Sequence, residues 1–348
     1  MAIPSPERQV EFLQKVQRLL SEGLFVASYK FALLRALADL AVLKGEDSEA
    51  ELRLSVNDIA KAIIELYWRQ SRPFYAGSGQ GRVLLQNTGR QAAIVRCLSS
   101  VQAEYRGSLP QLQRDQVQWK KLTQEVADII CVMPLWKLQR IGDEVVDFLY
   151  PNVGKGRTIV LRPGVAYCLR TFHSLLRNLI EGAWLNYVRN LNIDVLGHAT
   201  DFASFLFGNE RASLEGYRPV LQDLQRGSCF YCRRGIAGDS EVDHFVPWSR
   251  YPVDLGHNFV LAHKTCNARK ADYLGAEEHL GMWTERNRLH GGNLAGAFAD
   301  AALPNDIESS ISITRWAYTQ TAGAGGMVWV RDKVLIHLER EWERLLTG

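Results

Sequence analysis

Between Cys229 and Lys270 the chain gathers residue types that bind metals and move protons. Cys229 and Cys232 form a C-x-x-C turn that can present two thiolates to one ion, and thirty residues further on His263 and Cys266 repeat the spacing as H-x-x-C. The four make a Cys3His set, the donor types of a tetrahedral structural zinc site. Between the pairs lies the stretch Glu241-Val242-Asp243-His244-Phe245-Val246, able to form a short strand with Asp243 and His244 near its end. Cleaving a phosphodiester requires one group to deprotonate water, and others to stabilise the pentacoordinate phosphorus and the leaving 3′ oxygen. Histidine suits the first task because its pKa lies near working pH. A hard cation, Mg²⁺ or Mn²⁺, suits the others and prefers oxygen ligands. Asp243 offers one such oxygen, and Asn267, at the start of a helix after the second strand, offers another through its side-chain carbonyl. The residues therefore point to metal-dependent phosphodiester cleavage. A zinc knuckle that only binds nucleic acid would account for the Cys/His set, but it gives no reason for Asp243-His244 or Asn267.

Positive side chains cluster around the same stretch, as phosphate contacts should, with a solvated basic face as the plain alternative. Arg234, Arg250, Arg269 and Lys270 are the predicted nucleic-acid contacts, and Trp248 either stacks or belongs to the core. The formal charge argues nothing further, because 41 Lys plus Arg against 38 Asp plus Glu leaves only +3.

The elements that carry this stretch are mostly helical. Apolar residues recur at helical spacing over residues 7–21 and 28–43, and Ser55 to Asp58 makes an N-cap for a helix over 59–69. The stretches 86–105, 115–132 and 135–150 also read as helices, 153–161 holds one short strand, and 164–190 reads as one long apolar helix. Residues 214–224 lead into the motif as a helix. After the motif, 277–288 is expected as a helix ended by a breaker at Gly291-Gly292, with 306–322 and 331–346 as the last two helices. The glycine loops at 77–81 and 154–156 lack the Lys-Ser/Thr of a phosphate-binding loop and read as turns or linkers. The expected architecture is mainly α (α+β): a helical N-terminal body over 1–200, with a winged helix-turn-helix or a plain helical scaffold as the candidates for its first part, a small metal-binding module over 201–275, and a helical C-terminal tail over 276–348. With 47% hydrophobic residues, no run of about eighteen apolar residues and no signal-like start, the cytoplasm is the expected location and no membrane partner is expected.

At Asp243-His244, Asn258 and Asn267-x-x-Lys270 the chain resembles the HNH, or ββα-metal, endonuclease family, including the HNH domains of RNA-guided CRISPR nucleases and the zinc-bearing HNH proteins of restriction and phage systems. The final letter of the motif is Asn267 in place of His, a variation the family allows. The resemblance implies that His244 is the general base, that Asp243 and Asn267 hold the catalytic Mg²⁺ or Mn²⁺, and that Asn258 fixes the loop so that the base is aimed. It further implies that Cys229, Cys232, His263 and Cys266 hold a structural Zn²⁺ that staples the ββα hairpin. It covers about fifty residues. Ser28 to Leu34, with Tyr67 to Gln70, is similar to the N-terminal part of HNH proteins of anti-phage defence loci, including Zorya-type effectors. That similarity implies partner proteins of a defence system, and leaves open a component that binds or recruits and is inactive alone.

Overall fold

In the computed structural model, residues 2–23, 25–75, 81–152, 156–196, 202–208 and 213–346 are described. The chain divides into two compact units, Met1–Gly208 and Asn209–Gly348. Among the described residues there are fifteen α-helices and four separate two-stranded antiparallel sheets, so the fold is mainly α with small β elements. None of these helices is long and apolar enough to cross a membrane.

The first unit is organised on the helix Tyr29–Lys44. Its sequence is apolar almost without interruption, and residues on every side of it are buried, as befits a helix wrapped by others. Packed against it are Val56–Trp68, Val165–Thr171 and His173–Leu191. Val56–Trp68 shows why such a helix forms and where it starts. The Ser55 hydroxyl accepts the Asp58 amide at 3.0 Å, while Val56, Ile59, Ala60, Ile63, Ile64 and Tyr67 line one buried stripe. Each aliphatic side chain buried there contributes about 1.5–3 kcal/mol. Arg35 and Asp39, which face inward on the central helix, are paired: Arg35 Nε lies 3.0 Å from Asp39, and Asp39 Oδ1 lies 2.7 Å from His173 Nε2. Burial alone would raise the Asp39 carboxyl, but Arg35 and His173 outweigh it and hold it at about 2. Of residues 28–34 and 67–70, which carry the N-terminal resemblance, all but the half-buried Tyr29 and Arg69 are buried core positions of this unit.

Several expected helices are replaced. Over 135–150 only the turn Pro134–Lys137 is helical, and a hairpin of Arg140–Ile141 and Glu144–Val145 follows. Gly142 takes the left-handed turn at φ 57°, and the Gln139 side chain bonds the Leu149 amide and the Tyr150 carbonyl, which a helix would have paired internally. The long helix expected at 164–190 is two, Val165–Thr171 and His173–Leu191, broken at Phe172. The glycine loop at 77–81 lies almost wholly outside the described residues, as do 153–155 of the expected strand, of which Thr158–Leu161 is formed against Leu52–Ser55.

In the second unit, Ser240–His244 pairs antiparallel with Phe259–His263, and Lys264–Lys270 follows as a short helix, giving strand, strand, helix in sequence order. Tyr217, Leu221, Val242, Phe259, Leu261, Leu294 and Phe298 form the core under one face of the hairpin. Gly291-Gly292 is not a breaker: Glu277–Asp300 runs straight through it. Glycine costs a helix only about 1 kcal/mol, and at Gly291 a Cβ would collide with Ile307, so the residue serves as a packing notch. The closing helix expected over 331–346 is likewise absent. Met327–Arg331 and Val334–His337 form a hairpin instead, followed by the 3₁₀ segment Arg340–Leu346. The run Met327-Val328-Trp329-Val330 favours a strand, Asp332 turns the chain at φ 48°, and Trp329 exchanges backbone hydrogen bonds with Leu274 and Ala276 at 2.8 Å each.

Candidate active site

The turn after Gly227 brings Cys229 and Cys232 together. The Cys229 amide donates to the Arg234 carbonyl at 2.9 Å, and Arg233, at φ 62°, lets the chain fold back on itself. His263 ends the second strand and caps the short helix, so Cys266 falls in that helix's first turn. The four ligand atoms all lie within 4.8 Å of one another, one residue buried, one exposed and two between. His263 Nε2 is 3.3 Å from the Gly235 carbonyl, which can only accept, so the proton is on Nε2 and the bare Nδ1 faces Cys232 Sγ at 3.3 Å. Burial, and then the neighbouring Cys229 and Cys232 thiols, push the Cys266 thiol up to about 12. A crowd of thiolates with one oriented imidazole is unfavourable by itself and is the donor set Zn²⁺ takes.

Asp243 and His244 lie on the first strand of this hairpin, Asn258 just before its second strand and Asn267 on the short helix, each bonded to its own partner. Asp243 is 8% exposed and opposite Val260 in the register. Its Oδ2 receives the Tyr231 hydroxyl at 2.5 Å and the Lys270 ammonium at 3.1 Å, and Oδ1 has no partner among the described residues. Burial and Asp243 push the Tyr231 phenol far up, so it remains a neutral donor. Its ring is propped by Trp329 of the C-terminal hairpin at 5.2 Å and by His279 at 5.3 Å. Asn267, on the short helix, donates from Nδ2 to Glu241 Oε2 at 2.8 Å, which turns its carbonyl oxygen away from that carboxylate. Glu241 and Asp243 are two apart on the first strand and share a face, and Asn267 and Lys270 reach them from one helix.

His244, opposite Phe259, sits in a different setting. Its Nε2 is 2.8 Å from Asp254 Oδ1, and its ring packs edge-to-face with Phe259 at 4.7 Å and Trp248 at 5.2 Å. Asn258 bonds both backbone groups of Val246, Oδ1 accepting from the amide at 2.8 Å and Nδ2 donating to the carbonyl at 3.1 Å, and its own carbonyl receives the Phe245 amide. It thus ties the turn after His244 to the start of the second strand.

Four residues with no assigned role complete the site: Tyr231, Glu241, Asp254 and Arg286. Arg286, on the long helix Glu277–Asp300, is 9% exposed and donates to the carbonyls of Phe259 and His257 at 2.6 Å each. Desolvation lowers its pKa to about 9. The His257 carbonyl also receives Trp283 Nε1 at 3.0 Å and Asn287 Nδ2 at 3.3 Å. His257 is fully buried, its Nε2 on the Gly291 carbonyl, so it is a packing residue beside Asn258.

Lys270 is corrected as a phosphate contact. Its side chain is wholly buried, with Nζ on Asp243 and, at 3.0 Å, on the His244 carbonyl. Arg250 is half-buried and bonds Thr321 Oγ1 at 2.8 Å, and Arg269 is exposed but paired with Asp332. Arg234 is exposed.

Residues 229–276 match an HNH endonuclease family model. The HNH match covers the Cys3His cluster, both strands and the short helix. It indicates a nuclease-type module, a nucleic acid as its substrate and a divalent metal in its chemistry. No curated protein and no solved structure matches the chain.

Proposed function

We propose that the chain is a metal-dependent HNH endonuclease that hydrolyses phosphodiester bonds in DNA, with His244 as base and Zn²⁺ in the Cys3His cluster as scaffold. The observation that supports this most is that residues 229–276, which match the family, fold as strand, strand and helix with Asp243 and Asn267 on the facing sides of strand and helix. Each of the two has a side-chain oxygen left over for a cation: Asp243 Oδ1 is unbonded, and Glu241 fixes the Asn267 amide by its nitrogen. Mg²⁺ or Mn²⁺ bound by these oxygens would stabilise charge on the phosphate and the leaving 3′ oxygen. The residues of the chain do the rest. His244 takes the proton of the attacking water, Asn258 keeps the following turn closed on the second strand, and Lys270 and Tyr231 hold Asp243 in place. The products carry a 5′-phosphate and a 3′-hydroxyl.

With one such centre per chain, a monomer nicks, and paired cuts need two copies. The deciding experiment is conversion of supercoiled plasmid to open circle by the purified protein with Mg²⁺ or Mn²⁺. His244→Ala should lower it by about 10²- to 10⁴-fold, and unchanged activity would remove His244 from the role of base. DNA binding without any nicking would favour a zinc-knuckle or recruiting component instead. A part in restriction or anti-phage defence rests on the N-terminal resemblance alone. Plaque counts on cells expressing the wild type and His244→Ala test it.

A further inference from the structure

We propose that Asp254 is a positioning residue of this centre: its carboxylate holds His244 as the Nε2–H tautomer, so that Nδ1 is the atom that takes the proton from water. The inference rests on the nuclease reading of His244 and adds a residue to which the motif gives no role.

A neutral imidazole has one N–H, and a carboxylate only accepts. The 2.8 Å contact between His244 Nε2 and Asp254 Oδ1 therefore puts the proton on Nε2. Nδ1 has no protein partner among the described residues, and the His244 side chain is 12% exposed, so part of the ring is open to water. The ring is not free to turn over, because Phe259 and Trp248 pack against it at 4.7 and 5.2 Å. Asp254 is itself held. It is 16% exposed, and the residues after it are pinned by the Asn258 amide on the Leu255 carbonyl at 2.9 Å and the Gly256 amide on the Pro304 carbonyl at 3.0 Å. The carboxylate thus lies at the end of a short rigid path from the Asn258 clamp.

In the step this serves, the water oxygen bonds to phosphorus while its proton passes to Nδ1. The bond from phosphorus to O3′ breaks with its electron pair on O3′, which takes a proton from solvent, and His244 later returns its own proton to solvent. While the ring carries both protons, Asp254 faces the resulting positive charge directly.

A staple that only closed the loop would show the same hydrogen bond, so the test must separate orientation from folding. Asp254→Asn keeps the size but offers the ring either a donor or an acceptor. In plasmid nicking, kcat should fall about 100-fold with KM within about twofold, and Asp254→Glu should recover about tenfold of the loss. In a His244→Ala background Asp254→Asn should cost nothing further, since there is no ring left to orient. An equal fractional loss in both backgrounds, or no loss in either, would overturn the proposal. A second arm needs no activity: the ring ¹⁵N signals of His244, assigned by their absence in His244→Gln, should report Nε2–H in the wild type and a tautomer mixture in Asp254→Asn. A wild-type ring protonated at Nδ1, or an unchanged spectrum in the variant, refutes the positioning role. An inert wild type with an Nε2–H ring would retire the nuclease reading and leave the orientation standing.

Discussion

The Cys229, Cys232, His263 and Cys266 cluster and the Asp243, His244, Asn258 and Asn267 edge share one hairpin and one short helix, yet they are assembled differently. In the first, four ligand atoms converge within 4.8 Å and find little but each other and backbone groups for company. In the second, every side chain is already engaged: Asp243 by Tyr231 and Lys270, His244 by Asp254, Asn258 by Val246, Asn267 by Glu241. A scaffold metal can be its own organiser, because binding energy and folding energy are the same quantity there. A catalytic edge has to be held in shape by protein and still leave an oxygen or a nitrogen unused on each working residue.

Removing the zinc should have the largest effect. Cys229→Ser, or a strong chelator, should empty the site and unfold the second unit, with a loss on the order of 10 kcal/mol of metal-linked stability. Metal content and melting temperature measured together check this, and if both stayed at wild-type values the scaffold role would be wrong. His244→Ala should do the reverse, lowering nicking by about 10²- to 10⁴-fold while zinc content and melting stay put. A variant that lost both together would blur the line drawn between the two regions.

Smaller effects sharpen the contrast. Arg286→Met should cost about 3 kcal/mol in urea unfolding, since it leaves the His257 carbonyl with fewer donors and the Phe259 carbonyl without a side-chain donor in a dry setting. Lys270→Met should cost about 1–3 kcal/mol of stability and leave the salt dependence of DNA binding unchanged, because its ammonium faces Asp243 rather than solvent. Arg234→Ala should change stability by no more than about 0.5 kcal/mol and reduce the salt slope of binding by about 1. Matching behaviour of the last two would erase the distinction between a buried and a surface cation.

The Cys3His cluster was legible in the sequence because thiol and imidazole spacing translates directly into a turn. Asp243-His244 and Asn267 stood out by type and spacing, and the structure brings strand and helix together at them. What stayed hidden was burial. Lys270 reads like any basic residue in a basic stretch until the helix turns it onto Asp243. Arg286 reads like a surface residue of an amphipathic helix, and Glu241 and Asp254 like ordinary acids near a loop. The helical pattern was sound where the buried stripe was long, as in Val56–Trp68. It failed over 135–150 and 331–346, where Gly142 and Asp332 turn the chain and short hairpins form instead. At Gly291 the error ran the other way, since a residue that weakens an isolated helix lies here within one and packs against Ile307.

Phe259–His263 begins beside the clamp on Val246 and ends on His263 of the Cys3His cluster. Five residues at about 3.3 Å each set the spacing between the two regions. This strand works as a ruler. Its side chains can drift among apolar types of similar volume, but its length cannot: one inserted residue would turn either His263 or the start of the strand to the opposite face. Over evolutionary time, then, this segment should tolerate substitution and resist insertion, while the loop between Val246 and Asp254, bounded by the clamp at one end and the His244 partner at the other, is where length can vary.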